Sequence, residues 1–313
     1  MMTKEEKDKR GIRIIHKADR VIDAVLLVFF AICFLYGVYT IWDNHQIYDG
    51  ASTTLYSKYN PTQNEILSTY SFKQFQKINS EAFGWIEVYG TGINYPLLQS
   101  STTDDQKYIK TNAIGNYSLS GSIYLDSRNK KDMSDFVSII YGHHMEKHEM
   151  FGDLQEFDSR SFFKSHKYGN LYYGGRNYGL QIFAYIDADA SDYSIYSPGN
   201  PKSYKKYVAN LYNKAKYTRK ISIGKNDHIA LLSTCASYKS NSRQLVAAKI
   251  TDKTYKNIFG SSKLPWWKGL LNWFKAMPTW LGVTLVSFII LLLLALYVYI
   301  ERRYRKGHNK ANN

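Results

Sequence analysis

Ile229-Ala230-Leu231-Leu232-Ser233-Thr234-Cys235 and, eight residues after the cysteine, Arg243-Gln244-Leu245-Val246-Ala247-Ala248-Lys249-Ile250 are the stretch on which the reading of this chain turns. Both runs have strand length and strand composition, and the loop Ala236 to Ser242 is short enough to join them as antiparallel neighbours. Such a turn returns Arg243 to the end of the first strand, beside Cys235. The chain has two cysteines, and the other, Cys33, falls inside an apolar segment of membrane-spanning length. Cys235 therefore has no disulfide partner in its own compartment. An unpaired thiol is an oxidation liability that catalysis would explain, whereas a buried, inert cysteine is the competing reading.

The region from Trp85 is built of short β-branched and aromatic runs punctuated by Gly, Asn and Pro. They are Trp85–Tyr89, Ile93–Leu98, Ser122–Leu125, Phe136–Tyr141, Asn170–Tyr173 and Leu180–Ile186. With the two runs around Cys235 they make eight strands, which predicts a mainly β domain, a barrel or a sandwich, with added helices. Helical spacing of Tyr204, Tyr207, Val208, Leu211 and Tyr212 predicts a helix from Pro201 to Lys216. A second helical pattern covers Glu65 to Asn79, and a third follows His143 through Met150, Leu154 and Phe157.

Two segments are long and apolar enough to span a bilayer, residues 21–42 and 280–300. Lys4, Lys7, Lys9, Arg10, Arg13, Lys17 and Arg20 precede the first; Arg302, Arg303, Arg305, Lys306 and Lys310 follow the second. The positive-inside rule then puts both termini in the cytoplasm and the intervening domain outside the cell membrane. The expected organisation is a cytoplasmic basic segment (1–20), a span (21–42), an extracellular stalk with N-terminal helices (43–80) and the mainly β domain (81–260). A juxtamembrane aromatic segment (261–279), a second span (280–300) and a basic tail (301–313) complete it. The net charge of +15 suits an anionic membrane or wall. Scattered lysines on an external domain give no reason to expect a nucleic-acid partner. An external domain of this size with almost no cysteine suggests a Gram-positive surface protein.

A reactive thiol needs nearby positive charge or a base. Arg243 supplies the charge and could donate to a developing oxyanion. The base lies in Ser138-Ile139-Ile140-Tyr141-Gly142-His143-His144-Met145, a strand ending in Gly-His-His, where either histidine could serve. His144 and His148, four apart and followed by Glu149, have the spacing of metal ligands on a helix face, but the His-Glu-x-x-His pattern is absent and no metal is expected. His45, His166 and His228 read as structural or solvent-exposed. Ser233 and Thr234 would shape a substrate pocket floor or simply complete their strand.

A strand ending in Gly-His, a later Ser-Thr-Cys at a strand end and an arginine opening the next strand resemble the sortases, membrane-bound cysteine transpeptidases of Gram-positive bacteria. Phe83-Gly84-Trp85-Ile86, Ile93-Asn94-Tyr95-Pro96-Leu97-Leu98-Gln99, Gly121-Ser122-Ile123-Tyr124-Leu125-Asp126 and Met150-Phe151-Gly152-Asp153-Leu154 bring the likeness to class B. It covers roughly residues 72–250. The resemblance implies an eight-stranded β-barrel with a helix between two late strands. It also implies Cys235 as nucleophile, His143 rather than His144 as acid/base, and Arg243 as the residue that orients substrate and stabilises the oxyanion. No cofactor is implied. The implied substrates are secreted proteins bearing a C-terminal sorting signal, cleaved after threonine. The acyl acceptor would be an amine, either a pilin lysine (pilus polymerisation) or a cell-wall precursor (surface anchoring). The second span is more familiar from class C, but the Asp-Pro-aromatic lid motif of that class is missing. A non-catalytic, double-anchored wall scaffold or binding protein is the alternative, and it predicts a buried, unreactive Cys235.

Overall fold

A computed structural model describes residues 4–62, 65–102, 106–145, 148–235 and 241–259. The expected second span, the aromatic segment before it and the basic tail lie outside the described residues, as does most of the loop after Cys235.

Nine strands form one sheet: β1 (Ala82–Val88), β2 (Asn94–Leu98), β3 (Ile123–Leu125), β4 (Val137–Tyr141), β5 (Tyr168–Tyr173), β6 (Arg176–Asp189), β7 (Tyr217–Thr218), β8 (His228–Cys235) and β9 (Ser242–Thr251). Their order is β5-β1-β2-β3-β4-β8-β9-β6-β7, and β5 also pairs with β6. That extra pairing closes eight strands into a barrel and leaves β7 as a two-residue appendage to β6. All eight strands expected from the sequence are present. β7 has no apolar run long enough to announce itself.

Strand alternation divides the core in two. Ile140, Leu232, Val246, Ala248 and Ile182 belong to one cluster, together with Trp85, Leu97 and Phe151. Val137, Ile139, Leu231, Leu245 and Ala247 alternate onto the other face. There α4 (Tyr204–Lys214) covers them with Tyr207 and Leu211. The helix starts three residues later than its Pro201 suggests, because Ser203 is the true cap. Its extended backbone (φ −140°, ψ 105°) lets the hydroxyl accept from the Lys206 N–H. It ends at Ala215, where the chain turns extended so that the Lys216 N–H can donate to the Tyr185 carbonyl alongside β6.

The helix expected directly after His143 is not formed. His144 instead forms an isolated antiparallel bridge with Met150, and His148 and Met150 take positive φ of 65° and 51°. Helical structure begins only with a 3₁₀ segment at Gly152–Asp158 and the short α3 (Arg160–Ser165). His144 and His148 therefore do not share a helix face, which removes the geometry behind the metal reading.

N-terminal to the barrel, α1 (Lys4–Ala51) is followed by α2 (Glu65–Ile78). Within α1 the stretch Val21–Thr40, of mean hydropathy 2.6, is long and apolar enough to cross a membrane, with Leu27, Phe30 and Leu35 exposed. α2 sends Phe72 and Phe75 into the core, where Phe72 packs edge-on to Tyr172 of β5.

Candidate functional site

Three adjacent strands bring the expected residues to one end of the barrel. β4 and β8 run parallel with Tyr141 opposite Ser233, so both chains leave the sheet on the same side. One further bond, from the Gly142 N–H to the Ser233 carbonyl (3.2 Å), carries the pairing past the strand end. β9 returns antiparallel along β8, and Cys235 and Arg243 are Cα partners in that ladder. His143 stands two residues beyond Tyr141, and Cys235 two beyond Ser233. Cys235 and Arg243 share one parity of their strands, that of Ser233 and Leu245.

His143 is half-buried and anchored through one nitrogen: its Nε2 lies 2.8 Å from the Ile109 carbonyl oxygen. A carbonyl can only accept, so Nε2 carries the proton, and in the neutral ring Nδ1 holds the lone pair. The backbone around it is tightly fitted. A Cβ on Gly142 would run into Ile123 Cδ1 and come within 2.8 Å of the Phe151 ring. The glycine of the Gly-His motif thus serves close packing of β4 on β3 and Phe151. Gly121 has φ +58°, and a Cβ there would press 2.6 Å from the Ile109 oxygen and 3.0 Å from His143 Cδ2.

Arg243 is half-buried, and its Nη1 donates to the Ser242 carbonyl at 3.2 Å. Ser233 and Thr234 are both buried. Ser233 Oγ lies 2.9 Å from the Tyr196 hydroxyl, a tie between β8 and the segment before α4. Thr234 points the other way in the alternation, opposite Gln244, and the Thr234 hydroxyl has no hydrogen-bond partner among the described residues. Beside the site, Tyr141 donates to Asp126 (3.1 Å), whose carboxylate also takes a two-point bond from Arg128 (2.8 and 2.7 Å). Burial, and then the neighbouring Asp126 charge, push the Tyr141 hydroxyl well above its ordinary range, so it stays a donor. Among the described residues no group of three or more His, Cys, Asp or Glu side chains could hold a metal ion.

Two elements of this geometry escape a sequence reading. The Ile109 carbonyl is a backbone group on a 3₁₀ turn (Lys107–Ile109), with no side-chain signature. Tyr196 sits in a loop, one tyrosine among 28.

No family model matches the chain. Curated and solved proteins do. The sortase B of Staphylococcus aureus is 32% identical over 185 residues, 57% of this chain and 74% of that protein. The chain belongs to the class B sortase family. A sortase B from the type II pilus of Streptococcus pneumoniae is 42% identical, with TM-score 0.51, covering 58% of this chain and 99% of that one. A Streptococcus pyogenes class B sortase involved in pilus biogenesis is 34% identical, with TM-score 0.53, covering 57% and 97%. This sortase is accordingly a cysteine transpeptidase that acts on sorting-signal substrates, built on the eight-stranded barrel of its relatives.

Proposed function

We propose that this sortase cleaves a C-terminal sorting signal after threonine and joins the new acyl end to a lysine of a pilin subunit, building a covalent polymer. The observation that carries the catalytic assignment is the adjacency of β4, β8 and β9, which gathers His143, Cys235 and Arg243 at one barrel end. In the first step Nδ1 of His143 takes the proton of the Cys235 thiol, and the thiolate attacks the carbonyl carbon after threonine. The C–N bond breaks as His143 gives a proton to the leaving amine, and a thioacyl-enzyme remains. In the second step the lysine amine attacks the thioester, His143 takes its proton, and the thiolate leaves. Arg243 and a backbone N–H near Cys235 hold the oxyanion in both steps. Ser233, on the same strand parity as Cys235, forms the pocket floor, while Thr234 faces the other side and completes its strand. Nδ1 of His143 is the nitrogen that shuttles the proton, since Nε2–H is committed to Ile109.

The choice of a pilin lysine over a wall precursor is favoured by the two pilus-associated sortases, 42% and 34% identical to this chain. The catalytic domain would face outward, anchored by α1 and by the expected second span. Surface extracts of a strain carrying Cys235→Ala, run on a denaturing gel, test the proposal. A high-mass ladder should disappear while monomer persists. Loss of wall-bound monomer with no ladder in the parent strain would mean anchoring instead. An unchanged profile would remove Cys235 from the chemistry.

A further inference from the structure

The connection between Leu98 at the end of β2 and Ile123 at the start of β3 joins parallel strands and is therefore a crossover. Its middle carries the 3₁₀ turn Lys107–Ile109, and the carbonyl of Ile109 is what holds the His143 ring. The orientation of the imidazole therefore depends on how firmly that turn is fixed, and the turn is fixed from an unexpected quarter.

Glu81, the residue before β1, is buried, and its carboxylate is saturated by the crossover. Oε1 accepts from the Ser101 N–H (2.8 Å) and hydroxyl (2.6 Å). Oε2 accepts from Lys107 Nζ (2.6 Å) and from the Tyr108 hydroxyl. Asn79 adds a second grip, donating to the Tyr108 hydroxyl at 3.3 Å and to the Ala113 carbonyl at 3.0 Å while orienting the Glu81 N–H. Two of the three residues of the turn are thus tied to one carboxylate through their side chains, and the third presents its carbonyl to His143. The Ser122 N–H, bonded to the Tyr108 carbonyl at 2.9 Å, seats the backbone between them.

The electrostatics agree. Burial alone would raise the Glu81 carboxyl, but the bonds from Lys107, Ser101 and Tyr108 outweigh it and bring it down to about 2. The group is a committed anion, and nothing about holding β1 in the barrel requires one.

We infer that Glu81 is a positioning residue for the transpeptidase reaction, pinning the Lys107–Ile109 turn so that the Ile109 carbonyl holds His143 in one tautomer and one orientation. The inference rests on His143 being the acid/base of the proposed reaction. Its mark is a defect in turnover without a defect in substrate affinity.

Glu81→Gln is the sharpest probe. An amide can match the donors on one side only, because its NH2 must face either Ser101 or the Lys107–Tyr108 pair, donor against donor. Tyr108→Phe is the gentler probe, removing one tie and leaving the carboxylate otherwise satisfied. Each is made in the full chain in detergent micelles. Activity is read with a fluorogenic peptide copied from the C-terminal signal of the protein whose ladder is lost in the Cys235→Ala strain. The expected result is a fall in kcat of about tenfold for Glu81→Gln and about threefold for Tyr108→Phe, with KM within about twofold of the parent. The 15N shifts of the His143 ring supply a readout that does not depend on activity. The parent should show a protonated Nε2 and a bare Nδ1, and Glu81→Gln a mixture of tautomers. Unchanged kcat with an unchanged ring would overturn the inference, as would equal losses in kcat and melting temperature with the ring tautomer intact. If the parent enzyme itself is inactive, the proposed function fails, and the ring shifts still judge the positioning role. If Glu81→Gln does not fold, Tyr108→Phe decides on the same two readouts.

Discussion

Two histidines in this barrel are held in opposite ways. His166, buried at the C-terminal cap of α3, is sandwiched between Phe162 (ring centroids 3.5 Å apart, planes at 10°) and Phe259 (4.4 Å, 12°). Its Nδ1 lies 3.0 Å from both the Phe162 carbonyl and Ser165 Oγ, so faces and edge are alike occupied. His143 is fixed at one edge, by the Ile109 carbonyl, and by the close approach of Gly121. The first arrangement ties the strap after β9 down onto the barrel. The second leaves an oriented ring with a nitrogen to spare. A histidine becomes useful for proton transfer when the fold fixes its direction without covering it.

The contrast can be broken. The largest effect should come from His143→Gln, which is expected to lower kcat about a thousandfold while leaving the melting temperature near that of the parent. Turnover and thermal unfolding of the same preparation check both halves. Next in size, His166→Ala forfeits two stacked contacts and should cost about 2 kcal/mol of stability, a drop of several degrees in melting temperature. Its kcat per folded molecule should be unchanged, and a result with the two variants exchanged would sink the comparison.

The smallest effect concerns pH. Glu81 is depressed from 4.5 to about 2 in the folded protein. A depressed carboxyl contributes stability that is fully present above about 4.5 and is lost as pH falls toward about 2. Acid unfolding of Glu81→Gln, followed by circular dichroism, should therefore be shallower than that of the parent within that window and parallel to it above.

The strands were legible because apolar, β-branched runs such as Ile229–Leu232 and Phe183–Ile186 bury both faces and leave little ambiguity of type. The pairing of Cys235 with Arg243 was legible too, because a short loop between two such runs dictates an antiparallel return. The segment after His143 was not. Its apolar residues fall at helical spacing, yet Met150 donates its N–H to the buried Tyr95 hydroxyl (2.8 Å), His144 bridges Met150, and His148 and Met150 take positive φ. Tertiary contacts there override local periodicity. The anchor of His143 was hidden for a different reason. It is a carbonyl oxygen, which every residue has, and only the crossover path makes the one on Ile109 matter. The choice of His143 over His144 came from family resemblance, and composition alone would have left it open.

Closure of the sheet by the β5–β6 pairing has a consequence for recognition. Every strand except β7 has a neighbour on both sides, so the barrel offers an incoming extended peptide almost no vacant ladder to join. Proteins that capture extended ligands by lending them a sheet edge read them partly through main-chain bonds, which are indifferent to sequence. A barrel closed in this way is expected to read an extended signal through side chains and loops rather than by strand addition. Selectivity for one signal over another should then be open to change at a few loop residues without disturbing the barrel beneath them.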